Sequence, residues 1–136
     1  MEFELTKKEF RHLLDLVYIG NWILNSIRAN DRFEEYDLLQ EKFFALAAEN
    51  GFRALTQRYL GHIFPSTAYE EGGIHDAIAE YEDDVFFDIL AEVLAHRDMI
   101  AEHLNPDDMT ELALRIESYM REFETNGVEN ISLDNN

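Results

Sequence analysis

The sequence predicts an all-α fold, a single-domain bundle of four to five mostly antiparallel helices. Three observations carry that expectation. Apolar residues recur at helical spacing through most of the chain, and helix start and stop signals punctuate it. Two-residue alternation is confined to the ends, where Phe3 and Leu5 alternate with Glu2 and Glu4, and Ile131 and Leu133 with Asn130 and Ser132. That leaves room for a short pairing of the extended termini. With 136 residues, of which 46% are apolar, the chain suits one domain and excludes wholesale disorder.

The first helix starts at a capping box, Thr6 with Glu9, whose side chains answer each other's orphan backbone donors. Leu13, Val17, Leu24 and Ile27 follow as its stripe, beside Phe10 and Leu16. Gly20 interrupts that stripe, and close approach of another helix would explain a mid-helix glycine. Leu14, Tyr18, Ile19, Trp22 and Ile23 widen the apolar surface to most of the circumference. Such a helix is central in its bundle or lies at a subunit interface. In the second case Tyr18 and Trp22 line a homodimer contact.

Asp31 and Glu34 suggest a second capping box, after which Tyr36, Leu39, Phe43, Leu46 and Ala47 form a stripe. Asn50-Gly51 is a stop signal, since either residue tolerates the left-handed conformation. A short helix is expected from Phe52 to about Leu60, burying Leu55 and Tyr59. Residues 61–73 read GHIFPSTAYEEGG, an irregular segment in which Thr67 and Glu70 would cap one turn. Irregular segments of that length lean functional.

Ile74 to Leu104 is helical, as one long helix or two with a kink near Asp83-Asp84. Its expected inner face is Ile74, Ile78, Tyr81, Val85 and Ile89, then Phe86, Leu90, Val93, Leu94, Ile100 and Leu104. The last helix is expected to begin at Asn105, with Pro106 at its first position and Asp107-Asp108 on the positive end of the dipole. Met109, Leu112, Ile116, Met120 and Phe123 would face inward, and Asn126-Gly127 ends the helix. The bundle domain therefore covers residues 1–127. Residues 128–136 form a C-terminal tail, extended or disordered.

Charge is the unusual property. Twenty-nine acids against eleven bases give a net charge of −18. That argues against direct binding to nucleic acid or an anionic membrane, both of which need positive surface. The chain has no cysteine, which excludes disulfides and thiolate chemistry. Met1 to Phe10 has no basic-then-apolar signal, and the most apolar stretch, Leu13 to Ile27, is too short and too interrupted to span a bilayer. A cytoplasmic protein is expected.

The charge is uneven. Residues 1–68 hold ten acids and eight bases, whereas residues 69–136 hold nineteen acids and three bases. Asp76, Glu80, Asp84, Asp88 and Glu92 recur every four residues, and His96 continues the series. Four-residue neighbours on a helix adjoin, so like charges repel there by a few tenths of a kcal/mol per pair. The ladder reads as a solvated face or as a surface for a basic protein partner, because a one-sign surface speeds association with its opposite. An acidic mimic of nucleic acid is a further alternative. Arg97, among apolar neighbours, is expected in a buried ion pair with Asp15 or Asp98.

Histidines and carboxylates around the irregular segment give a second class of function. His62, Glu70, Glu71 and His75, with Asp76 nearby, offer ligands of the kind zinc or manganese takes. They define the alternative of a metal-binding protein or metal-dependent hydrolase; otherwise no cofactor is expected. A di-iron bundle needs two Glu-x-x-His pairs, and only Glu9 with His12 is present. The acidic pairs Glu34/Asp37 and Glu80/Asp83 do not reproduce the paired motifs of all-α nucleotide pyrophosphatases. Ser66 and Thr67 near His62 form no nucleophile elbow. The leading expectation is a non-enzymatic binding or regulatory protein whose acidic C-terminal half engages a basic protein.

Overall fold

The computed structural model describes residues 1–134; Asn135 and Asn136, at the end of the expected tail, lie outside the described residues. The fold is predominantly α-helical, as the sequence predicts. Helix α1 spans Lys7–Asn25, α2 Glu34–Glu49, the single turn α3 Thr67–Tyr69, α4 His75–Ala101 and α5 Met109–Asn126. A small antiparallel hairpin joins β1, Thr56–Tyr59, to β2, His62–Pro65. The chain divides into two compact units, Met1–Ile78 and Ala79–Asn136, with the boundary inside α4.

In the first unit the capping box at Thr6 and Glu9 forms as expected. The buried face of α1 differs from the expected stripe. Leu14, Tyr18, Asn21 and Asn25 are buried, while Leu13, Val17 and Leu24 are half-buried and Ile27 is exposed beyond the helix. Two asparagines can lie inward because hydrogen bonds replace the water they lose. Gly20 is exposed with open space around it, so no close helix approach explains it. On α2 the buried residues are Phe44 and Ala47, and Tyr36, Leu39 and Leu46 remain substantially exposed. Asp31 does not cap α2. Its carboxylate accepts from the Ala29 N–H and from Arg28, and Phe33 takes the N-cap position without a side-chain bond.

The expected helix from Phe52 to Leu60 is replaced by a single 3-10 turn, Arg53–Leu55, and by the hairpin. Thr56, Tyr59, Ile63 and Phe64 favour extended backbone, and Leu60-Gly61 between them supplies a two-residue turn. Both turn residues have positive φ, 48° and 79°, which matches strand twist. Strand alternation buries Ile63 and Pro65 and leaves Tyr59 exposed, contrary to the helical expectation. The following segment is ordered. Ser66, one residue before the expected cap, accepts from the Tyr69 N–H and donates to the Ala54 carbonyl. Glu70–Ile74 makes a wide turn in which Gly73 adopts φ 111°. Leu14, Tyr18, Phe44, Ala47, Ile63, Tyr69 and Ile78 form the core of this unit.

The region expected as one helix or two is a single helix, α4, most of which lies in the second unit. It ends in a Schellman arrangement: the Leu104 N–H donates to Met99 and the His103 N–H to Ile100, with His103 left-handed at φ 58°. Asn105 does not cap α5. Its side chain accepts from the Asp107 N–H in a local turn, and Asp108 caps the helix by accepting from the Glu111 N–H. The core pairs Ala95 and Met99 of α4 with Leu112 of α5, flanked by Ile116 and Tyr119. Phe87 packs on Phe123 at 5.4 Å. Neither terminal segment is a strand, so the pairing of the ends does not form. Among the described residues no helix is long and apolar enough to cross a membrane.

Candidate functional site

Helix α4 carries the acidic ladder. Asp76 stands in the first unit and Glu80, Asp84, Asp88 and Glu92 in the second, and all five are exposed. From Ala79 to Asp84 every residue is exposed, so the helix is solvated all round there. A step of four residues turns about 40° beyond a full turn, so the ladder winds around the helix rather than lying opposite one stripe. Among the described residues Glu92 has one weak partner, His96 at 3.9 Å, and the other four ladder acids pair with no cation.

The positive charge of the second unit is already committed. Arg115 grips Glu102 at 2.6 Å and Glu111 at 2.7 Å, and these contacts push its pKa up. Arg121 reaches Glu117 at 3.3 Å. Arg97 pairs with Asp98 at 2.7 Å, but its side chain is 63% exposed, so the expected buried ion pair is corrected to a surface one. The helical position of Arg97 lets its long side chain escape to water. Asp98 is the more enclosed partner. A hydrogen bond from the Tyr119 hydroxyl, and then Arg97, hold its carboxyl below the ordinary range. Burial, and then that bond to Asp98, push the Tyr119 hydroxyl up.

The ladder shares α4 with an apolar face that the sequence reading placed inward. Ala91, Ala95 and Met99 are buried. Phe86, Ile89, Val93 and Ile100 instead face water, from 51% exposed at Phe86 to 63% at Ile100. Tyr81 is also exposed. Ala95 and Met99 pack toward Leu112 of α5, and the larger side chains occupy the opposite side. The helical pattern contained both faces, and the small residues were the signal for the buried one.

The proposed metal ligands are not brought into one cluster. The Nδ1 of His62 contacts Glu41 at 3.2 Å. Glu41 also accepts from the Ile63 N–H, and that bond, followed by the one to His62, lowers its pKa. The Nε2 of His75 lies 2.7 Å from the Tyr18 hydroxyl. Glu70 and Glu71 are exposed in the wide turn. Among the described residues no group of three histidines or carboxylates is placed to hold a metal ion. His62 and His75 instead each have a separate hydrogen-bonding partner, Glu41 and Tyr18.

Tyr18 is buried within its own unit, edge-on to Tyr69 at 5.1 Å, so it is not free to line a homodimer contact. Burial, and then the nearby Glu70 carboxylate, raise its pKa. Trp22 is half-buried beside the His75 ring. Two features of this unit escaped the sequence reading. Tyr69 sits at the centre of the core, donating to Asp15 at 2.8 Å under the Arg11 guanidinium, and its pKa is pushed far up by burial and then by Asp15. An apolar recess of about 320 Å³ is lined by Phe3, Leu5, Phe10, Phe43 and Phe52, with Lys7 also contributing. It carries one amine and no acid–base pair, so it offers space rather than chemistry.

Comparison with known proteins finds no matching family model, no similar curated protein and no similar solved structure.

Proposed function

We propose that this chain is a non-enzymatic binding or regulatory protein whose acidic second half engages a basic protein partner. The observation that carries the reading is the ladder on α4, Asp76, Glu80, Asp84, Asp88 and Glu92. Its members are all exposed, and the arginines of the second unit, where Glu80, Asp84, Asp88 and Glu92 stand, are each paired with other carboxylates. Like charges placed four apart work against the helix that carries them. A cationic partner relieves that repulsion on binding and is drawn in faster by the one-sign field.

Affinity capture from the native cell extract, at low and at high salt, tests the reading. The expected result is a basic protein retained at low salt and released at high salt. Its capture should fail when Glu80, Asp84 and Asp88 are all replaced by lysine. Recovery of no partner under either condition, or of partners indifferent to those substitutions, overturns it.

A further inference from the structure

The apolar recess at the start of α1 is built wholly from residues of the first unit. Phe10 of α1, Phe43 of α2 and Phe52 just beyond α2 form its floor, and all three pack on the core of that unit. The Phe10 and Phe52 rings stand 6.1 Å apart. Phe3 and Leu5 line it from the segment before α1. Aromatic side chains anchored on a packed core keep their places, so the space between them is preformed. Its volume of about 320 Å³ falls within the range of small-molecule sites, about 300 to 1,000 Å³.

The polar part of the lining selects the occupant. The chain carries 29 acids, yet no residue lining the recess is acidic. Lys7 supplies the only formal charge there. A Cβ on Gly51 would stand 3.4 Å from the Lys7 Nζ, so the amine reaches from the start of α1 to the end of α2. Among the described residues Lys7 forms no ion pair. Glu9, an acid on the same turn, is engaged by the Thr6 N–H and hydroxyl, at 2.7 and 2.8 Å. The Asn50 amide donates to the Leu46 carbonyl at 2.8 Å. The other polar side chains of the lining are therefore committed, and the ammonium is left beside an apolar space. A hydrocarbon ending in a carboxylate complements both.

We propose that this recess binds an aliphatic monocarboxylate of medium chain length. Its hydrocarbon lies on Phe10, Phe43 and Phe52, and its carboxylate meets the Lys7 Nζ. Each buried methylene raises affinity about fourfold. An ion pair at an exposed amine adds about fivefold at most. Chain length therefore sets the affinity, and Lys7 sets the choice of head group. The site uses no residue of α4, so it stands or falls separately from the basic protein partner.

The test titrates the full, nitrogen-labelled chain with decanoate, hexanoate and decanol, each below its aggregation threshold, and follows the amide chemical shifts. Decanoate should saturate, move the amides of Lys7, Phe43 and Gly51, and bind at least about tenfold more tightly than hexanoate. Lys7→Gln should weaken decanoate by about fivefold and leave decanol unchanged. Leu46 lines the recess and is 40% exposed, so Leu46→Asp places an acid there without opening the core. That variant should lose decanoate binding while keeping its far-ultraviolet circular dichroism. Absence of saturable binding, or shifts centred on other residues, overturns the proposal. So does binding that Leu46→Asp leaves intact, or a Lys7→Gln variant that treats decanoate and decanol alike.

Discussion

Asn25 is 1% exposed, and both ends of its amide are used. Its Nδ2 donates to Asn21 at 2.7 Å and to the Phe33 carbonyl at 3.1 Å, and its Oδ1 accepts from the Phe33 N–H at 2.8 Å. Asn21 passes the network on to Asp37 and Gln40 of α2, and Arg32 grips Asp37 at 2.7 Å. Replacing Asn25 by alanine removes the side-chain partners of the Phe33 N–H and carbonyl in a part-buried site, which costs about 1 to 2 kcal/mol. Chemical denaturation of the Asn25→Ala variant should show that loss; a loss below about 0.5 kcal/mol, the range of ordinary surface changes, would mean the amide is not doing this work. In the sequence Asn21 and Asn25 read only as interruptions of an apolar run. Their burial depends on partners from a loop and from α2, which periodicity along one helix does not contain. The capping box at Thr6 and Glu9 was legible because all its atoms lie within one helical turn.

Helix α4 sets the same contrast on a longer scale. Its existence could be read from spacing, but the spacing leaves its continuity open, and its orientation could not be read because large apolar residues stand on more than one side. Packing chose the side with Ala91, Ala95 and Met99 and left Phe86, Ile89, Val93 and Ile100 outside. The hairpin at residues 56–65 failed to be read for a related reason. Leu60 is an uncommon residue for a left-handed turn position, so the turn carried a weak signal beside Gly61. The two faces of α4 predict opposite responses to substitution. Ala95→Leu adds bulk to a fully buried site against α5 and should destabilise by about 1 to 3 kcal/mol. Val93→Ala removes an exposed branched side chain from a helix and should change stability by less than about 0.5 kcal/mol. Paired denaturation curves for the two variants check the assignment, and a large loss at Val93 with none at Ala95 would reverse the faces.

At the scale of the molecule two electrostatic effects pull in opposite directions. The net charge of −18 makes the folded chain repel itself, most strongly along α4. Specific contacts favour ionised carboxylates: Asp37 is held below its ordinary value by Arg32 and then Asn21, and Asp98 by Tyr119 and then Arg97. A carboxyl whose folded value is depressed contributes stability that is present above its unfolded value. That stability is lost as pH falls through the folded value, so this part declines progressively once the pH drops below about 4. Self-repulsion is present at neutral pH and is screened by salt. The screening length falls from about 30 Å at 0.01 M to about 3 Å at 1 M, shorter than the about 6 Å axial step between ladder positions. Added salt at pH 7 should therefore raise the melting temperature, because repulsion between unpaired acids is removed while the short bonds of Asp37 and Asp98 persist. Replacing Glu80, Asp84 and Asp88 with lysine should raise the melting temperature at low salt and flatten its salt dependence. Differential scanning calorimetry across salt at pH 7 and at pH 3 measures both effects, with the stability at pH 3 expected to be the lower. If salt lowers the melting temperature at pH 7, attraction dominates the charge distribution, and α4 carries no repulsion for a cationic partner to relieve.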